Sequence, residues 1–203
     1  MEILESSQKK KFWHWFELNE SRILGLFSNA DTNLMEEITM RLKLLDKQLV
    51  WEIGPSQNKG QFFAISPNGD RNKLNITRDL ILSAYESKIW DFFPAKPKKV
   101  WKRKVEQNKN DVFDFNEWKY HLKAFNNREF FDVYFVPPPK HSENKNDLKM
   151  MKVFAVSELG EELYLKIIGD VSIDWNASYD SDALTFVEYL EPHIMSLLDE
   201  NGI

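Results

Sequence analysis

Four histidines are the side chains best suited to move a proton near neutral pH: His14, His121, His141 and His193. His14 and Glu17 stand three positions apart on the first helical pattern, a pair that could serve as acid and base or as two metal ligands. A protein metal site needs at least three ligands, and neither H-E-x-x-H nor H-x-H occurs. The chain has no cysteine, which removes thiolate nucleophiles, iron–sulfur clusters, disulfides and sulfur-ligated zinc. Paired carboxylates stand at Glu36-Glu37, Glu161-Glu162 and Asp180/Asp182. Glycosidase-type chemistry would need two of them held across a cleft, whereas acids in the first turn of a helix are stabilised there by the macrodipole. The seven glycines form no G-x-G-x-x-G, no G-K-[ST] loop and no G-x-S-x-G elbow. No residue is therefore assigned a catalytic, metal-binding or cofactor-binding role, and no cofactor is expected. A hydrolase of unfamiliar type, using carboxylates or His14, stays as an alternative.

Charge is distributed more tellingly than its net value of −5. Within 96–109 stand seven basic residues against Glu106, and within 158–203 eleven acidic residues against Lys166. In the basic stretch, Lys98, Lys99, Lys102, Arg103 and Lys104 surround Val100 and Trp101, the aromatic-within-basic pattern that single-stranded nucleic acid uses for stacking and phosphate contact. An acidic chain opposes such binding, so nucleic acid ranks as a weak third reading, behind Trp101 packed on a core. In the acidic stretch, Asp170, Asp174, Asp180, Asp182, Glu188 and Glu191 are candidates for receiving a partner with a basic surface.

The elements that must position these residues read as α+β. Residues 11–27 form a helical pattern on Phe12, Phe16, Ile23 and Phe27, with Trp13 and Trp15 widening its face. Asp31 is placed to cap a second helix on Leu34, Ile38, Leu42 and Leu45. Strands are predicted at 48–54 and 60–66 with a turn at 55–59, then a turn at 66–70, a helix at 77–87 and a strand at 89–93. After a polar connector at about 97–111, Asp114 and Glu117 read as a capping box ahead of a helix on Trp118, Leu122 and Phe125. Strands follow at 130–136, 150–156 and 171–175. A helix at 161–168 lies between the last two, with Gly169 as its C-cap. The final helix is predicted over 180–199, kinked at Pro192 and stopped by Asn201-Gly202. The order α-β-β-α-β thus occurs twice, at 31–96 and 114–176. The expected architecture is a mixed, mainly antiparallel, hairpin-rich sheet or sheets with helices on one face. Residues 1–203 are expected to form a single globular unit, with halves of about 1–96 and 112–203.

The N-terminal run lacks a signal-peptide apolar core, and no window approaches the length of a membrane span. A cytoplasmic protein is the expectation. The seven tryptophans are mostly core material; tryptophan is also favoured as an interface anchor, so an exposed one would be informative.

The stretch Phe12-Trp13-His14-Trp15-Phe16-Glu17-Leu18-Asn19 resembles the opening of a loosely defined set of small bacterial proteins that begin F-W-x-W-F-x-x-N. The segment 49–54, Leu159-Gly160-Glu161-Glu162 and Ile168-Gly169-Asp170-Val171 are similar to the same set. That resemblance implies no activity and gives no residue a catalytic role. By analogy of class, small acidic bacterial proteins of this kind are frequently immunity or accessory proteins encoded beside toxins. A non-enzymatic binding protein, in its sharpest form an immunity-type protein for a basic partner, ranks first.

Overall fold

The computed structural model describes residues 6–108, 111–125 and 129–200; Lys109 and Asn110 of the predicted connector and the predicted Asn201-Gly202 stop lie outside them. The fold is α+β, and the chain divides into two compact units, Met1–Lys96 and Pro97–Ile203.

In the first unit the predicted 11–27 helix is two, α1 (Ser6–Leu18) and α2 (Glu20–Gly25). Asn19 makes the break: its backbone N–H and its side-chain amide both donate to the Trp15 carbonyl at the end of α1. Helix α3 (Thr32–Leu45) starts where expected, because the Asp31 carboxylate accepts from the Leu34 N–H and satisfies an otherwise orphaned donor. Strands β1 (Val50–Ser56) and β2 (Gly60–Ser66) form an antiparallel hairpin with Ser56 opposite Gly60. Pro55, expected in the turn, lies in β1, which is an edge strand of the sheet β1-β2-β3; proline is tolerated on an edge. The turn after β2 is as predicted, with Asn68 and Gly69 both at positive φ.

The next helix, α4 (Leu74–Leu82), begins and ends earlier than expected. Asp70 caps a short 3-10 turn that leads into it. Strand β3 (Trp90–Phe93) then pairs parallel with β2. Phe12, Trp13, Phe16, Ile38, Phe63 and Trp90 form the middle of this unit's core.

The second unit departs from the predicted order in four places. The predicted connector contains strand β4 (Lys104–Asn108), paired with β5 (Asp111–Asp114). The predicted helix on Trp118, Leu122 and Phe125 is strand β6 (Lys119–Phe125). The decisive period is two: Trp118 and Tyr120 are buried while Phe125 is exposed, and Asp114 closes a local turn on Asn116 instead of capping a helix. Strand β7 (Phe130–Val136) is as expected. The predicted strand at 150–156 is helix α5 (Asp147–Leu159). Most of its buried residues, among them Asp147, Met150, Met151, Phe154, Ala155, Glu158 and Leu159, keep a helical spacing that a seven-residue window hides, and two of the anchors are acids.

Gly160, at φ 76°, separates α5 from α6 (Glu161–Ile167). Gly169, expected as a C-cap, lies in β8 (Ile168–Ile173), where a Cβ would stand 2.6 Å from the Asp132 carboxylate. Strand β9 (Thr185–Phe186) leads through a 3-10 turn into α7 (Leu190–Glu200). The final helix therefore starts ten residues later than expected, and Pro192 sits in its first turn, where no intrahelical N–H is required.

The second unit's larger sheet has the order β8-β7-β6-β9, antiparallel except for the parallel pair β7–β8. The predicted α-β-β-α-β repeat holds in the first unit as α3-β1-β2-α4-β3 and fails in the second for want of its leading helix. What the units share is shorter: an antiparallel hairpin, a helical crossover, and a third strand parallel to the second.

Candidate functional site

The six acidic candidates separate into two groups. Asp170, Asp180, Asp182 and Glu188 are exposed. Asp174 is occupied: its carboxylate accepts from the N–H groups of Asn176 and Ala177 and lies 3.4 Å from His121 Nε2. Glu191 pairs with Lys98 at 2.6 Å. Asp180 and Asp182, expected at the start of a helix, stand in turns between β8 and β9.

Exposed aromatic rings accompany these acids. Trp175 is 38% exposed, Phe186 41% and Tyr189 52%. Lys119 shows what such rings can hold: its ammonium donates to the Tyr179 carbonyl and sits 4.4 Å from the Tyr179 ring and 5.0 Å from that of Phe186. Phe186 stands opposite Lys119 on the edge strand β9. The Tyr179 phenol is pushed above its ordinary value by burial and by the negative charge of Glu117 and Asp180.

The basic candidates are largely spent inside the second unit. Arg103, held at φ 55°, donates to both oxygens of the buried Glu158 at 3.0 Å, and the Trp101 indole N–H donates to the same carboxylate at 2.8 Å. Trp101 packs beside Phe115 and Phe154, so the ring that would stack on a base is turned to the core. Lys98 is paired with Glu191, and Lys104 with Asp114 at 2.7 Å. Burial works to raise the Asp114 carboxyl, but Lys104 and two donors from Asn116 outweigh it and hold it below its ordinary value. Lys99 and Lys102 are exposed; the Lys99 backbone N–H is tied to the Ser157 carbonyl at 2.8 Å.

His14 and Glu17 are both exposed on α1, opposite its buried Phe12, Trp13 and Phe16. Of the carboxylate pairs, Glu37 bonds Arg41, Glu162 pairs with Lys166, and Glu161 is buried at the start of α6. Among the described residues no group of three or more potential ligands could hold a metal ion.

Two histidines that the spacing left apart meet at one cavity of about 670 Å³. His121 on β6 and His193 on α7 line it, with Ser178, Ser181 and Thr185. The cavity exists because β9 pairs only with Lys119 and Tyr120; beyond that point the chain turns away through 178–184 and leaves the edge of β6 uncovered. His121 stacks on Tyr134 at 4.9 Å, and the Tyr120 hydroxyl lies 2.9 Å from His193 Nδ1. That contact joins residues 73 positions apart, and no local motif could signal it.

No family model, no curated protein sequence and no solved structure matches the chain. Among the described residues, no helix is long and apolar enough to cross a membrane.

Proposed function

We propose that the chain is a non-enzymatic protein-binding module whose partner presents a basic surface, in its sharpest form an immunity-type protein that neutralises that partner. The observation that carries this reading is the pairing of exposed acids with exposed large rings in one short stretch: Asp180, Asp182 and Glu188 beside Trp175, Phe186 and Tyr189. Aromatic side chains supply anchor energy at interfaces, and clustered charge of one sign steers and accelerates encounter. The seat that Tyr179 and Phe186 make for Lys119 is the kind of contact a partner's lysine or arginine would make with neighbouring rings.

The test begins with a partner captured by the wild-type chain. Its association rate is followed by stopped flow against a variant carrying Asp180→Lys, Asp182→Lys and Glu188→Lys. The rate falls by about tenfold or more at low salt, and its salt dependence flattens. The melting temperature of the variant stays close to that of the wild type, because exposed charges contribute little to stability. Unaltered kinetics would reduce the acidic segment to solubilisation and remove the reading.

A further inference from the structure

The cavity beside β6 shares the 177–185 segment with the acidic face but has a chemistry of its own. Its walls are mainly apolar, with Leu122, Phe131, Leu184 and Leu197 among them, and among the described residues no Asp, Glu, Lys or Arg lines it. An anion would give up part of its hydration there and meet no lysine or arginine among the described lining residues. A volume of about 670 Å³ suits a small organic molecule.

The polar groups at the cavity are few, and their roles can be worked out. Tyr120 is wholly buried, and burial pushes its phenol well above its ordinary value, so the hydroxyl keeps its proton and needs an acceptor. His193 Nδ1, 2.9 Å away, can serve as that acceptor. A neutral imidazole that accepts at Nδ1 carries its proton on Nε2. His193 thus brings an N–H donor to the cavity, beside the hydroxyls of Ser178, Ser181 and Thr185. His121 directs Nε2 at Asp174.

From this geometry we infer a binding site for a small uncharged molecule, with an apolar body seated on Leu122, Leu184 and Leu197 and a carbonyl oxygen accepting from His193 Nε2–H. The buried Tyr120 hydroxyl fixes the tautomer that makes His193 a donor, and the open edge of β6 provides the space.

Three probes of one shape separate the contributions: acetophenone has the carbonyl, ethylbenzene lacks it, and benzoate carries a charge. Binding is followed by NMR through the methyl signals of Leu122, Leu184 and Leu197 and the ring signals of His193. Acetophenone shifts these signals saturably with Kd on the order of 1 mM, an ordinary affinity for so small a ligand. Benzoate binds at least about tenfold more weakly, because its charge is stripped of water without compensation. His193→Asn keeps an acceptor for Tyr120 and removes the Nε2–H donor; it lowers acetophenone affinity about tenfold, to the level of ethylbenzene, whose own affinity does not change. Leu184→Trp fills the cavity and abolishes binding of all three, while thermal melts of both variants report that the fold is retained. Benzoate binding as tightly as acetophenone, an unchanged acetophenone affinity in His193→Asn, or no saturable shift with any probe would each overturn the assignment.

Discussion

The two units follow the same path for three strands and put it to different uses. In the first, β1, β2 and β3 are packed against a core of stacked and edge-on rings, with Phe63 4.6 Å from Phe16 and 6.5 Å from Trp90. In the second, the equivalent β6, β7 and β8 gain a fourth strand only two residues long, and the sheet edge it leaves open becomes a cavity. Polar pairs also differ in kind. The second unit anchors its entry segment through Arg103, Trp101 and Glu158, whereas the first uses Lys9 with Asp79 at 2.8 Å and Lys73 with Asp46. The first unit has a concavity too, about 930 Å³ between α3 and β1, but Glu36 and Lys43 line it, and its Trp51 indole already donates to the Thr39 hydroxyl. The lesson is that a shared hairpin-and-crossover path specifies a scaffold, while the strand added at its edge decides whether a binding site exists.

That contrast can be broken most forcefully from the core. Phe63→Ala in the first unit removes a ring that touches both helix and sheet partners and costs about 3–5 kcal/mol. Glu158→Ala in the second unit strands the Arg103 guanidinium and costs about 3 kcal/mol, somewhat less than a fully buried pair because Arg103 is partly exposed. Denaturant melts followed by tryptophan fluorescence and by circular dichroism measure both. If the chain folds as one cooperative unit, each substitution lowers a single shared transition. Two separated transitions, each sensitive to one substitution, would show instead that the units fold independently.

A smaller effect sharpens the contrast within the first unit. A Cβ on Gly54 would stand 2.4 Å from the Phe62 ring that lies across it. Gly54→Ala costs about 1–3 kcal/mol through the displaced ring, and the paired change Gly54→Ala with Phe62→Leu costs less than the two singles added. Additive costs would show that the ring does not depend on the missing side chain.

The smallest expected effect is in acid. Burial works to raise the Asp46 carboxyl, but the Lys73 ammonium and the Gln48 N–H hold it below its ordinary value, as Lys104 and Asn116 do for Asp114. A carboxyl depressed in the folded state contributes stability that is present above its unfolded value, near about pH 4, and is lost as pH falls through the folded value. Asp46→Asn therefore flattens the acid limb of the stability curve below about pH 4. Asp114→Asn does so less, because its side chain is 39% exposed against 8% for Asp46 and water screens the pair. Equal flattening by the two would mean that burial does not set the strength of these pairs.

What the residues alone determined is local. The Asp31 cap, the runs at 60–66 and 130–136, the Asn68-Gly69 turn and the α+β class follow from hydrogen-bonding groups and side-chain periods that act within a few positions. The segments 118–125 and 150–156 carry both periods at once: Trp118, Leu122 and Phe125 fit a helix as well as Trp118, Tyr120 and Leu122 fit a strand. Only partners elsewhere break the tie, Phe130–Val136 pairing with the first, and His141, Trp101 and Arg103 bonding buried Asp147 and Glu158 of the second, which is α5.

The acids at Asp180, Asp182 and Glu188 were legible as a charged stretch, but tertiary contacts separated them from Asp174, which faces His121 and accepts from the Asn176 and Ala177 N–H groups, and from Glu191, which pairs with Lys98. The same pairing engaged Lys98, Arg103 and Lys104 of the basic stretch in ion pairs. His121 and His193 share a cavity only because a two-residue strand stops short and a distant tyrosine needs an acceptor. Such placement is set by the free energy of burying groups far apart in the chain, which no spacing along it records.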